Sequence, residues 1–262
     1  MLASIPARTL NPIRSRTGIP RFSLFGKCSN PEIASLRAHV KVAQEEFDLA
    51  VVCHEVWKPT AYDKDLHQRM GVSYATNAFR VVVTALRREV LLALMRLWDR
   101  SKGNIRMEEI ARILSDKHII DVLAADRASR FNDVHIEAAM KEDMKRQAQE
   151  VIELIKGYSR GGRNEAVLEK LRTVRHEHLA HRQIEPTPAT GPGLTDKEIE
   201  SFYQENSKIV GLLLSLVSGV GYDPEQTGEV FRHHASFFWA GVRGEKTEGH
   251  PNYRPPPNIA SA

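Results

Sequence analysis

Residues 85–114, ALRREVLLALMRLWDRSKGNIRMEEIARIL, decide the fold. Val90, Leu94 and Leu97 continue a heptad-like seam that starts at Phe79, Val83 and Leu86. Val82, Leu91 and Leu92 widen that stripe, so the spacing predicts a helix over 74–100 buried from more than one side. Gly103-Asn104 then turns the chain into a shorter helix, IRMEEIARILSD. Period-two alternation, the mark of a strand, is absent here and elsewhere in the sequence.

The same periodicity extends outward from this stretch. Upstream, Asn30 and Pro31 form a cap and first turn. Leu36, Val40, Ala43, Phe47 and Val51 then carry a helix to about Trp57, where Lys58-Pro59 is expected to end it. His54 continues that stripe and is read as a hydrogen-bonded core histidine rather than a ligand. Downstream, a helical stretch over 117–156 would make a rod of roughly 60 Å, so a break is expected near SRFNDV, 129–134.

GYSRGGRN (157–164) interrupts the pattern, and Asn164 caps the next helix, with a stripe of Val167, Leu171, Val174 and His178. Thr195 and Glu198 make a capping box for a helix to about Val220. Asp223-Pro224 opens a last helix to about Val242. Its Phe231, Phe237, Phe238 and Trp239, with His233 and His234, suit a core or dimer seam better than base stacking. The expectation is an all-α antiparallel bundle of about six or seven helices.

Composition narrows the function. The chain has 262 residues, 42% apolar and 27% charged, with a net charge of +4. That mild basicity permits a nucleic-acid partner without requiring one. Two cysteines, Cys28 and Cys53, argue against a disulfide framework and for a reducing compartment, read as cytoplasmic. No apolar run reaches membrane-spanning length, so no membrane is expected. Residues 1–30 hold no acid but carry Arg8, Arg14, Arg16, Arg21 and Lys27, like a transit peptide; Pro6, Pro12 and Pro20 would break its helix, which favours a flexible basic tail. The organisation expected is that tail, a helical domain over 31–221, a packed C-terminal helix over 222–242, and a flexible tail over 243–262.

One motif carries chemistry. RHEHLAHRQIEP (175–186) packs three histidines and two arginines into eight positions before a proline-rich break. Three readings stand. Cations at a helix end interact well with its dipole, which needs no function. His178 and His181, at i,i+3, could share a metal ion, although the HExxH spacing is absent and nearby arginines oppose a cation. Or Arg175 grips a phosphodiester while His181 exchanges a proton with it, chemistry that needs no metal or cofactor. Positions six apart lie about 9 Å apart along a helix and about 120° around it, so that pair converges only if the helix bends near His181 or two copies meet at a dimer axis. Arg172 and His178 offer a competing frame, but His178 aligns with the apolar stripe as a support; His176 is a polar helper.

The string Arg175 to Arg182 resembles the signature of the HEPN superfamily, most closely its AbiU-type abortive-infection branch, where Leu-Ala-His-Arg commonly closes the motif. Residues 85–114 are similar to that branch's long helix. Arg96, Leu97, Trp98 and Asp99 stand where the branch has Arg-Leu-Phe-Asp, with Trp98 in place of phenylalanine. A histidine at 176 departs from the usual Asp or Asn. The resemblance covers about 31–221. It implies a dimeric, metal-independent endoribonuclease-like toxin in phage defence, leaving a cyclic phosphate, with Arg175 and His181 catalytic and His176, His178 and Arg182 supporting. Lys156, Arg160 and Arg163 flank GYSRGGRN, where they could follow an RNA backbone or simply be solvated. An antitoxin or nucleotidyltransferase partner is left open. The alternative function is a non-catalytic helical module that binds protein or RNA, since some superfamily members have lost activity.

Overall fold

The computed structural model describes residues 31–72, 74–101, 103–130, 134–175 and 195–242, with Asn252 and Arg254. These residues form an all-α bundle. Among them are nine α-helices and no strand: α1 Pro31–Tyr62, α2 Lys64–Met70, α3 Tyr74–Arg96, α4 Met107–Leu114, α5 Lys117–Ala128, α6 Val134–Tyr158, α7 Glu165–Val174, α8 Asp196–Leu213 and α9 Pro224–Gly241. The count exceeds six or seven because α2 was not foreseen and the 117–156 stretch holds two helices, one ending at Ala128 and the next beginning at Val134. Residues 1–30, the 183–194 loop and all of 243–262 but Asn252 and Arg254 lie outside the described residues.

Helix α1 is the spine. It lies along α3, and α9, α8 and α4 close around it, while α6 packs on α5, α4, α8 and α7. The main core runs from Leu36, Val40 and Phe47 through Leu94 and Leu97 to Ile155, Leu168 and Phe202. A second cluster at the other end joins Leu66, Met70 and Phe79 to Ala235 and Trp239 of α9.

Several boundaries moved, each for a local reason. Helix α1 continues through Pro59 to Tyr62: proline sits in the last turn, where it removes one hydrogen bond, and Thr60 repays this by burial and by donating Oγ1 to the Trp57 carbonyl at 2.6 Å. Helix α3 stops at Arg96 rather than Arg100, because Trp98 pairs its backbone with Arg106 across the turn. Asn164 does start α7, but its side chain makes no cap; it donates Nδ2 to Glu205 Oε2 at 3.0 Å instead. Helix α8 opens with the expected capping box but gives way at Leu214 to a π-turn over Leu214–Ser218. That turn ends at Gly219, whose φ of 68° suits glycine.

His54 is a buried, hydrogen-bonded histidine, as the stripe implied. The partners were not legible: Nε2 meets Glu200 Oε2 at 2.8 Å and Nδ1 meets Glu55 Oε1 at 3.3 Å, with the ring stacked on Tyr203. Glu55 also accepts from Arg232 at 2.8 Å, so the cluster ties α1, α8 and α9 together. On α9, Trp239 is core, whereas Phe237 and Phe238 are exposed, so of the expected core or dimer seam these two do not join the core of the single chain. Ala235 and Trp239 claim the one face of α9 that meets the bundle.

Candidate functional site

Helix α7 is held down by Leu168 and Leu171, both buried. Its last turn docks on the end of α3. Arg172 is largely buried, donating to the Trp98 carbonyl at 3.4 Å and pairing with Glu169, which commits it to structure and weakens the competing Arg172 frame. Arg175 is the residue after α7. Its Nη2 donates to Asp99 Oδ2 at 3.2 Å.

Arg175 stands on the rim of a cleft of about 410 Å³. Helix α1 supplies Ala38, His39, Val42 and Glu46; the end of α3 supplies Arg96 and Asp99; the turn that follows supplies Gly103, Asn104 and Ile105. The volume falls within the range of small-ligand sites. Val42 and Ile105 give it an apolar floor, and two guanidinium groups face it. Each is already paired: Arg96 donates Nε to Glu46 at 2.6 Å and Nη2 to Glu89 at 3.1 Å. Burial opposes the Arg96 charge, but these two carboxylates outweigh it and raise its pKa further.

Asp99 organises the rim. Burial pushes its carboxyl up, yet hydrogen bonds from Ser101, Arg175 and Asn104 prevail and hold it down at about 2. It also accepts from the Ser101 amide at 2.8 Å, which fixes the turn leaving α3. Behind it, Trp98 donates Nε1 to Asn206 Oδ1 at 2.8 Å, and Asn206 donates to the Phe202 carbonyl at 2.7 Å. The two sequence stretches singled out independently, 96–99 and 175–182, thus meet at Arg175.

His176, His178, His181 and Arg182 lie outside the described residues, so Arg175 is the one motif residue whose surroundings are visible. Lys156, Arg160 and Arg163 are exposed at the α6–α7 turn; Lys156 pairs with Glu153 at 3.2 Å, and Lys156 and Arg163 line a separate hollow. None of the three is among the residues lining the Arg175 cleft. No group of three His, Cys, Asp or Glu side chains among the described residues could hold a metal ion; His178 and His181 are not among them. Sequence reasoning did not place Asp99, Asn104 and His39 beside Arg175 in this cleft. Asp99 carried a signal, since an acid just past a helix C-terminus opposes the dipole and calls for a compensating cation.

A bundle of antiparallel helices with an arginine-led motif after α7 defines the class: a HEPN-type helical domain. The AbiU2 family model of that type matches residues 33–238, and the chain belongs to this family. It is therefore an abortive-infection-related HEPN domain. Comparison with curated proteins and with solved structures gives no significant match.

Proposed function

We propose that the protein is a metal-independent endoribonuclease that acts as a homodimer in cytoplasmic phage defence, as a toxin on cellular RNA. The observation that carries this reading is Arg175 itself: a guanidinium oriented by Asp99 on the rim of an open cleft of nucleotide-accommodating size. Asp99 engages one Nη2 donor, and a guanidinium has five, so donors remain for a phosphate.

In this mechanism the ribose 2′-oxygen attacks phosphorus, the bond to the 5′-oxygen breaks, and a 2′,3′-cyclic phosphate and a 5′-hydroxyl result. Arg175 binds the phosphate and neutralises charge as it builds. His181 exchanges a proton with the reacting oxygens. His176, His178 and Arg182 support the pair, and Lys156, Arg160 and Arg163 follow the RNA backbone.

A second reading is favoured by the same contact. An Arg175–Asp99 ion pair that fastens α7 to α3 is also what a non-catalytic interaction module would need. The test is incubation of total RNA in excess EDTA with the parent chain, Arg175→Ala and His181→Ala, followed by mapping of RNA ends. Cleavage by the parent alone, leaving cyclic phosphates, is expected, with helical circular dichroism unchanged in all three. Equal cleavage in both variants sinks the site assignment, and a parent that binds RNA without cutting it leaves the module.

A further inference from the structure

An attack by a 2′-oxygen that expels a 5′-oxygen needs two proton transfers, one at each oxygen. One imidazole cannot hold both positions at once. The cleft beside Arg175 contains a second imidazole, His39. It shares one face of α1 with Val42 and Glu46, at i, i+3 and i+7, and all three line the cleft with Arg175. Its surroundings are Glu46, Arg96, Asp99 and Arg175 around the cleft, with Glu109 of α4 nearby.

The ring's hydrogen bonding sets which nitrogen is reactive. Nδ1 lies 2.8 Å from the Ser35 carbonyl oxygen. A carbonyl oxygen only accepts, so Nδ1 carries the proton and donates it. In the neutral ring Nε2 is then the bare nitrogen with a free lone pair. No other hydrogen bond among the described residues engages Nε2. The backbone of α1 thus holds His39 in the tautomer that makes Nε2 the basic nitrogen.

We infer that His39 is a catalytic residue of this site, the general base that takes the 2′-hydroxyl proton while Arg175 binds the phosphate. This rests on the ribonuclease reading above, in which His181 then has one task, protonating the leaving 5′-oxygen. The balance closes. The O2′–P bond forms as the O2′ proton passes to Nε2. The P–O5′ bond breaks as O5′ receives a proton from the acid.

The test uses the full chain in EDTA and an RNA oligonucleotide spanning a cut mapped in total RNA. A second oligonucleotide has sulfur in place of the 5′-bridging oxygen at that cut, because a thiolate departs without needing a proton. His39→Ala and His39→Gln are compared; the glutamine keeps a donor for the Ser35 carbonyl but supplies no base. Both should cut the oxygen substrate about 10²–10⁴-fold more slowly. Neither should recover on the sulfur substrate, whereas a variant lacking the acid should. Cleavage near the parent's rate in both His39 variants overturns the assignment and leaves the Arg175 reading standing. Recovery on sulfur makes His39 an acid and overturns its role as base. A parent chain that cuts no RNA overturns the underlying reading and this inference with it.

Discussion

Asp99 and Arg175, 76 positions apart in sequence, meet through one hydrogen-bonded ion pair of 3.2 Å at the mouth of the cleft. Asp99→Asn keeps the shape and the turn but removes the charge. It should cost about 1–2 kcal/mol in urea unfolding, because the side chain is only 14% exposed. Held at about 2 against an ordinary 3.8, the carboxylate contributes fully above about pH 4 and loses that contribution as pH falls through about 2. The parent's advantage over Asp99→Asn should therefore shrink across that window. Cleavage should also slow by about 10–100-fold as Arg175 loses its orientation; an unchanged rate would show that Asp99 serves folding alone.

Trp98 donates its indole N–H to Asn206 Oδ1 at 2.8 Å. Trp98→Phe leaves the wholly buried Asn206 Oδ1 without its donor and opens a gap beside Tyr158. A loss of about 3 kcal/mol is expected. Removing the amide as well, in Trp98→Phe with Asn206→Leu, should recover at least about 1 kcal/mol in a double-mutant cycle. Strictly additive losses would mean that the indole N–H contributes nothing.

The His54 cluster predicts an alkaline weakness. Burial disfavours the charged ring, but hydrogen bonds and charge from Glu200 and Glu55 outweigh it and raise the His54 pKa above 6.5. The stabilisation is complete below about 6.5 and is lost as pH rises through the raised value. His54→Gln should cost about 1–3 kcal/mol at pH 6, by taking the charged ring from between Glu55 and Glu200, which keep only Arg232 and Gln204 with Lys58, and progressively less at higher pH. Thermal melting from pH 6 to 9 measures this, and a pH-independent difference would contradict a charged ring.

Gly162 is fixed by space. A Cβ there would overlap the carbonyl oxygens of Lys156 and Gly157, which belong to backbone and cannot swing away. Gly162→Ala should lower stability by about 1–3 kcal/mol. Gly161→Ala meets no neighbour but must hold a φ of 81°, so it should be strained as well. Melting of both variants checks this; a neutral Gly162→Ala would show that the turn relaxes freely.

The helices and their faces were legible because burial repeats every 3.6 residues: Leu36, Val40 and Phe47, or Leu94 and Leu97, announce themselves by spacing alone. Caps made by neighbours in sequence, such as Thr195 with Glu198 and Asp223 before Pro224, were equally readable. So was Arg175 as a cation of interest. What spacing could not reveal was anything joined across the bundle. The Trp98–Asn206 bond spans 108 positions, His54–Glu200 spans 146, and Glu55–Arg232 spans 177. Nor could it tell which apolar face of α9 meets the bundle, so core and dimer seam stayed undivided for Phe237 and Phe238. By itself the sequence determined the helical order and put forward Arg175 as a candidate. Only the tertiary structure decided that Asp99 orients Arg175 and that His39 shares its cleft, because a local pattern records burial, whereas hydrogen bonds and charges choose partners only after distant helices have packed.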